Sequence, residues 1–385
     1  MLAIGGSLGS YSHQKFFGGL RTNRAPTYWR RSCTSLECTL HQLSPYIGKI
    51  KSSIAGELIS LYSCADDLVV DPFAGAGTIP LEAAIRGRRV FAADISPYAR
   101  VLSLAKLRPP PSLRAALKAA DTVLAESALI KDEDLPSAPK WVRRFFHPRT
   151  LKEILRFAQI ARRPGNEFLM ACLLGILHHQ RPGFLSYPSS HLVPYLRDKK
   201  YPRAEFPEMY HYRELKPRLF AKITRSYKRF LPLQSSGIVF RQASIERVTL
   251  PKSFDCVITS PPYMNALDYG RDNRLRLWFV EPILTQRVDN CVTQRKDGFE
   301  QAIANLGQKV ENGLRVEGYC VFVVGETLRR SFYAHPSKIL IEILKQRAPS
   351  LVLRKVMTDD IPDVRRTRRA YRGVKTEHIL VFQRK

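Results

Sequence analysis

Residues 68–78 read Leu68-Val69-Val70-Asp71-Pro72-Phe73-Ala74-Gly75-Ala76-Gly77-Thr78, and this stretch decides the fold. An apolar run makes a short buried strand that stops at an aspartate and a proline. Two glycines then stand where the chain must turn sharply. A helical period follows over residues 79–86, and a second strand over residues 89–93 ends on Asp94. Strand, glycine turn, helix and strand form a β-α-β unit, the opening of a parallel sheet covered by helices.

In such a sheet ligands sit beyond the carboxyl ends of the strands, where glycines let the backbone approach and the next helix turns its N–H groups outward. Gly75 and Gly77 supply that clearance. Asp94 lies about twenty residues beyond the loop, where an acidic side chain can accept hydrogen bonds from both hydroxyls of a ribose. A dinucleotide would suit the same geometry, but the loop begins Asp-Pro-Phe and lacks the G-x-G-x-x-G spacing of a pyrophosphate cradle.

A second string, Thr259-Ser260-Pro261-Pro262-Tyr263, follows another apolar strand ending Val257-Ile258. It joins a hydroxyl, two rigid prolines and an aromatic ring. An exocyclic amino group is a poor nucleophile because its lone pair is delocalised into the ring. Acceptors at Ser260 and the adjoining backbone can bind the amino hydrogens and aim that lone pair, while Pro261 and Pro262 lock the loop. Tyr263 offers a flat face for a base swung out of its stack. The chain has no Pro-Cys pair, so attack on a ring carbon by a nucleophilic cysteine is set aside.

The 385 residues are 44% apolar, which suits a folded globular chain, and carry 62 Lys and Arg against 34 Asp and Glu, a net charge of +28. That excess favours a polyanionic partner, nucleic acid first. Seven scattered cysteines form no C-x-x-C pair, so no metal site is expected and a reducing, cytoplasmic setting fits. His178-His179 point to different sides of a helix and read as structural. The longest apolar stretch, residues 168–177, is too short to span a bilayer, residues 1–8 lack a signal-peptide pattern, and Walker A and HExxH strings are absent.

The chain divides into a basic, loosely docked lead-in at 1–40, a cofactor half at 41–106, a largely helical insertion at 107–235 and a catalytic half at 236–385. An unstructured loop as long as the insertion is improbable inside a compact domain. Further strands are predicted at 237–240, 254–258, 319–324, 351–357 and 378–383, the last two forming a terminal hairpin. Arg143 and Arg144 in the insertion, and Arg365, Arg366, Arg368 and Arg369 in the hairpin loop, are candidate phosphate contacts.

Together, Asp71-Pro72-Phe73-x-Gly75-x-Gly77-Thr78 and Ser260-Pro261-Pro262-Tyr263 resemble the cofactor and catalytic loops of the S-adenosylmethionine-dependent DNA methyltransferases that act on exocyclic amino groups. His41-x-x-Ser44-Pro45-Tyr46-x-Gly48-Lys49 resembles the segment that closes over the methionine moiety in that family. The resemblance implies a Rossmann-like, mostly parallel seven-stranded sheet with a terminal antiparallel hairpin. It implies S-adenosyl-L-methionine as cofactor, bound by Tyr46, Lys49, Asp71 (at the amino end), Pro72, Phe73, Gly75, Gly77, Thr78 and Asp94. Gln242 stands where the family often has an Asp for the adenine amino group.

Ser-Pro-Pro-Tyr implies N4 of cytosine in double-stranded DNA, with Asp- or Asn-Pro-Pro-Tyr commoner for N6 of adenine. The order of the motifs implies target recognition in the insertion. A cognate restriction endonuclease is a possible partner, in a prokaryotic or virus-encoded setting. Two other readings stay open: an RNA guanine-N2 methyltransferase, whose cofactor loop is similar but whose catalytic loop usually begins with Asp, and a catalytically inactive DNA-binding relative.

Overall fold

A computed structural model describes residues 22–30, 36–179, 183–187, 194–264, 269–282, 296–327, 335–360 and 374–385. The lead-in holds β1 (Thr22–Arg24), followed by α1 (Ser52–Tyr62), β2 (Leu68–Asp71), α2 (Thr78–Ile85), β3 (Arg89–Asp94) and α3 (Pro97–Leu107). The insertion carries α4 (Leu113–Ala128), α5 (Lys140–Arg143), α6 (Pro148–Ala161), α7 (Glu167–Ile176), α8 (Pro194–Lys200) and α9 (Leu215–Ser226). Then come β4 (Ile238–Gln242), β5 (Phe254–Thr259), α10 (Tyr269–Asp272), α11 (Arg274–Val280), α12 (Lys296–Gly313), β6 (Leu314–Thr327), α13 (Pro336–Arg347), β7 (Leu351–Asp360) and β8 (Val374–Arg384).

The strands form one sheet in the order β1-β7-β8-β6-β5-β2-β3-β4. All neighbours are parallel except β8, which runs antiparallel to both β6 and β7. From β2 the chain builds outward through β3 to β4, then returns to lay β5 on the other side of β2. The order therefore reverses between β2 and β5, and such a switch point opens a crevice beyond the strand ends. Both sequence motifs lie there. Asp71 ends β2, and Ser260 follows β5.

Side chains alternate across the sheet as the pleat requires. Cys256, Ile258, Ile379 and Val381 pack toward Ile54 and Leu58 of α1. Val257, Leu380 and Phe382 pack on the opposite side with Phe299, Ile303 and Leu306 of α12 and with Leu340 and Leu344 of α13. A third cluster fills the insertion, where α3 supplies Tyr98, Val101, Leu102 and Ala105 while its Leu104 and Leu107 face the sheet core. Every residue of α3 except Arg100 is buried, as expected for a helix wedged between two cores. Arg100 instead bonds Glu167 at 3.0 Å.

Three features depart from the sequence reading. The sheet has eight strands, not seven, because Thr22–Arg24 pairs in parallel with residues 356–358 of β7. Part of the expected loose lead-in is thus firmly docked: Trp29 is buried, its indole N–H donates to Glu57, and Lys51 Nζ donates to the Trp29 carbonyl at 2.7 Å. Next, the expected boundary at 236 is crossed by α11, whose Leu275, Leu277, Trp278 and Phe279 pack in the insertion cluster. Finally, α7 approaches the 41–49 segment so closely that a Cβ at Gly175 would lie 2.0 Å from the Leu43 carbonyl oxygen.

His178 meets Ser186 Oγ at 2.9 Å and packs edge-on to Phe145, and His179 stacks on Phe184. Among the described residues no cluster of three His, Cys, Asp or Glu side chains is gathered to hold a metal ion, and no helix is long and apolar enough to cross a membrane.

Candidate active site

At the end of β2 the chain turns through Gly75 (φ +49°) and Gly77 (φ +69°), both in the left-handed region that side chains disfavour. Gly77 has a second constraint, since a Cβ there would stand 2.8 Å from the Cα of Ser103 in α3. The loop is pinned to the next strand: Gly75 N–H donates to Asp94 Oδ2 and Ser96 N–H to Asp94 Oδ1, both at 2.8 Å, while Ala74 N–H donates to the Ala93 carbonyl at 2.9 Å. Asp94 thus shapes the loop. Each of its oxygens keeps a lone pair for a further donor, and burial holds its carboxyl above the usual carboxylate range.

Asp71 is the second carboxylate of the crevice and is 2% exposed. Its Oδ1 accepts from Thr259 Oγ1 at 2.6 Å and from Phe73 N–H at 3.3 Å. Burial raises its pKa to about 7 against these bonds, and the Asp94 charge adds to the rise. Thr259, which ties the two strand ends across the switch point, was not anticipated from sequence. Its signal was only its place before Ser260.

The cavity between these loops is lined by Tyr46, Lys49, Asp71, Pro72, Phe73, Gly75, Thr78 and Asp94, by residues 243–246, and by Ser260, Pro262 and Tyr269. Tyr46 lies against Gly75, its ring 3.3 Å from where a Cβ would stand, with Tyr98 and Tyr269 at ring separations of 5.7 and 6.2 Å. Lys49 Nζ donates to the His41 carbonyl at 2.9 Å and so braces its own segment. His41 is itself buried and meets Glu82 at 2.6 Å, while Arg86 closes the pair from the other side. Ser260 Oγ donates to the Val323 carbonyl at 3.1 Å, which leaves its lone pairs for an incoming donor.

Two expectations are corrected here. Gln242 ends β4, is exposed and does not line the cavity; the following turn at 243–246, with Ser244 and Glu246, does. Tyr263 is 5% exposed, its hydroxyl donates to Glu377 of β8, and its ring is not part of the cavity wall. Burial and the Glu377 carboxylate hold its phenol far above the ordinary range. The aromatic rings that do line the cavity are those of Tyr46, Phe73 and Tyr269, and Ile95, 58% exposed beside Asp94, adds an apolar wall. Arg143 and Arg144 are exposed at the end of α5. Arg365, Arg366, Arg368 and Arg369 lie outside the described residues.

The reversed β8 in an otherwise parallel Rossmann-like sheet, the glycine loop at the switch point and an acid at the next strand end give the chain the fold of an S-adenosylmethionine-dependent methyltransferase. Residues 44–127 match the model of the UPF0020 family, described as an RMKL-like methyltransferase domain. No curated protein matches the chain in sequence. Among solved structures, TrmN from Thermus thermophilus aligns over 90% of this chain and 52% of its own, at 13% identity and a TM-score of 0.36. A TehB-like SAM-dependent methyltransferase from Corynebacterium glutamicum aligns over 86% and 87%, at 11% identity and a TM-score of 0.31. The rRNA methyltransferase aviRa from Streptomyces viridochromogenes aligns over 94% of each chain, at 11% identity and a TM-score of 0.31.

The cavity fits the cofactor on its own terms. Among the described residues Thr78 Oγ1, buried in the wall, has no hydrogen-bond partner, and three carboxylates, Asp71, Asp94 and Glu246, line a cavity meant for a ligand that carries an ammonium, a sulfonium and ribose hydroxyls. Gly75 leaves the backbone bare in the cavity wall, whereas Gly77, expected from sequence to do the same, lies outside the wall and makes room for Ser103 of α3.

Proposed function

We propose that this protein transfers a methyl group to the exocyclic amino group of a base in nucleic acid, most specifically N4 of cytosine in DNA. One observation carries the reading: Ser260 and Pro262 of the catalytic loop line the same cavity as Asp71, Gly75 and Asp94 of the cofactor loop. S-adenosylmethionine supplies an electrophilic methyl on sulfur. The chain supplies orientation. Ser260 accepts a hydrogen of the amino group and turns its lone pair toward the methyl, and the Pro261-Pro262 pair holds that acceptor still. Asp94 and Thr78 hold the ribose and the loop side of the cofactor, and Asp71 faces its charged end.

A nucleic-acid substrate is supported by the +28 charge and by cations beside the cavity. From Tyr269 in the wall, α10 and α11 lead to exposed Arg271 and Arg274, and Arg274 caps the Trp141 ring at 4.7 Å, next to exposed Arg143 and Arg144. A second reading is methylation of guanine N2 in RNA, supported by the match of residues 44–127, the cofactor loop included, to an RMKL-like methyltransferase domain.

Nucleoside mass spectrometry of DNA and RNA treated with protein and isotope-labelled cofactor tests both. N4-methylcytosine in DNA supports the first. N6-methyladenine keeps the class and overturns the base, and N2-methylguanosine confined to RNA selects the second. No labelled base in any nucleic acid, with cofactor binding intact, makes the chain a binding protein.

A further inference from the structure

Lys106 sits on α3 beneath the glycine loop, 2% exposed and outside the cavity wall. Among the described residues its ammonium makes one hydrogen bond, to the carbonyl of Ala76, and no ion pair. Glu37 and Glu82 attract it without contact, but burying an ammonium with no carboxylate against it is unfavourable, and an apolar chain of the same length would fill the space at less cost. Burial accordingly drives its pKa well below the ordinary lysine range. The fold alone gives no reason to keep a charge there.

What it holds supplies the reason. Ala76 lies between two glycines in left-handed conformations, the part of the chain with the greatest freedom to relax. One turn earlier on the same face of α3, buried Ser103 directs its hydroxyl to the Gly75 carbonyl at 3.4 Å. Two successive carbonyls are thus turned into α3, away from the cavity, while Asp94 takes the Gly75 N–H from the other side. We propose that Lys106 is a positioning residue for the cofactor: by holding the Ala76 carbonyl it keeps the glycine loop in its binding shape without touching the ligand. The proposal rests on the methyltransferase reading.

The test is Lys106→Met, measured three ways on the full chain. Calorimetric titration with S-adenosylmethionine should show an affinity lowered by about tenfold or more. Thermal melting of the ligand-free variant should be unchanged or raised, since a buried charge has been removed, and its affinity for a DNA duplex should equal that of the wild type. A merely structural lysine would lower melting temperature and cofactor affinity together, and that result, or an unchanged cofactor affinity, overturns the proposal. Lys106→Gln keeps a neutral donor and should bind the cofactor more tightly than the methionine variant. A glutamine variant that folds and binds no better than methionine also overturns it, as does a methionine variant that fails to fold. Wild-type protein that binds no S-adenosylmethionine removes the underlying reading and this one with it.

Discussion

Asp94 performs two tasks with one carboxylate. It fixes Gly75 and Ser96 through their N–H groups and keeps free lone pairs over the cavity, so Asp94→Ala removes both loop shape and ligand acceptor. Cofactor affinity should fall by about 1.5–3 kcal/mol, the scale of hydrogen bonds to a charged group, and equal calorimetric affinity in a folded variant would contradict this placement. Asp71 makes a different prediction. Its folded pKa of about 7 lies above the 3.8 of an ordinary aspartate, so the folded chain binds the proton more tightly than the unfolded one. Its contribution to stability is therefore most favourable below pH 4, declines as pH rises to about 7, and is level beyond. Urea unfolding of wild type and Asp71→Asn across that range should show this slope in their difference, with the ligand-free variant the more stable at pH 8. Both acids were legible in the sequence because each terminates an apolar run before a turn. Tyr263 was not, because its orientation depends on Glu377 on β8, far along the chain. Gln242 failed by a margin of one residue: β4 runs on through it, and the cavity takes the turn that follows.

At the scale of elements, the glycine loop and α3 are shaped for one another. Gly77→Ala must tolerate a left-handed alanine, costing about 1–2 kcal/mol, and also move a backbone atom of α3 that would lie 2.8 Å from the new Cβ. Gly165 provides the control, since it has φ +93° but open space around it. Urea unfolding should show Gly77→Ala losing clearly more stability than Gly165→Ala, and equal losses would mean that α3 yields without cost. The predicted strands were found because each is an apolar run bounded by turn residues, and α7 because its apolar stretch is continuous. Several elements escaped, β1 and α11 among them. β1 is three polar residues with no alternation, held by register with β7 and not by its own pattern. α11 follows the catalytic loop in sequence, yet its aromatic face is claimed by the insertion, and only tertiary packing decides that.

The whole molecule couples a cavity at the switch point to a strongly basic exterior. Binding to duplex DNA should weaken steeply as salt rises, and replacing Arg143 and Arg144 by Gln should flatten the slope of log K against log salt by about one to two. Fluorescence anisotropy over a salt series measures this, and an unaltered slope would move the contact surface elsewhere. The far margin of the sheet has a different kind of consequence. With β8 on its inner side, β7 would present a row of open hydrogen-bonding groups to solvent were β1 not laid along it. Such a row recruits strands from other molecules. Thr22–Arg24 cover residues 356–358 of the ten in β7, and this cover is expected to hinder self-association there. Asn23→Pro, which disturbs the pairing opposite Met357, should give concentration-dependent dimers or larger species in sedimentation velocity while the cavity, at the other end of the strand order, still binds its ligand.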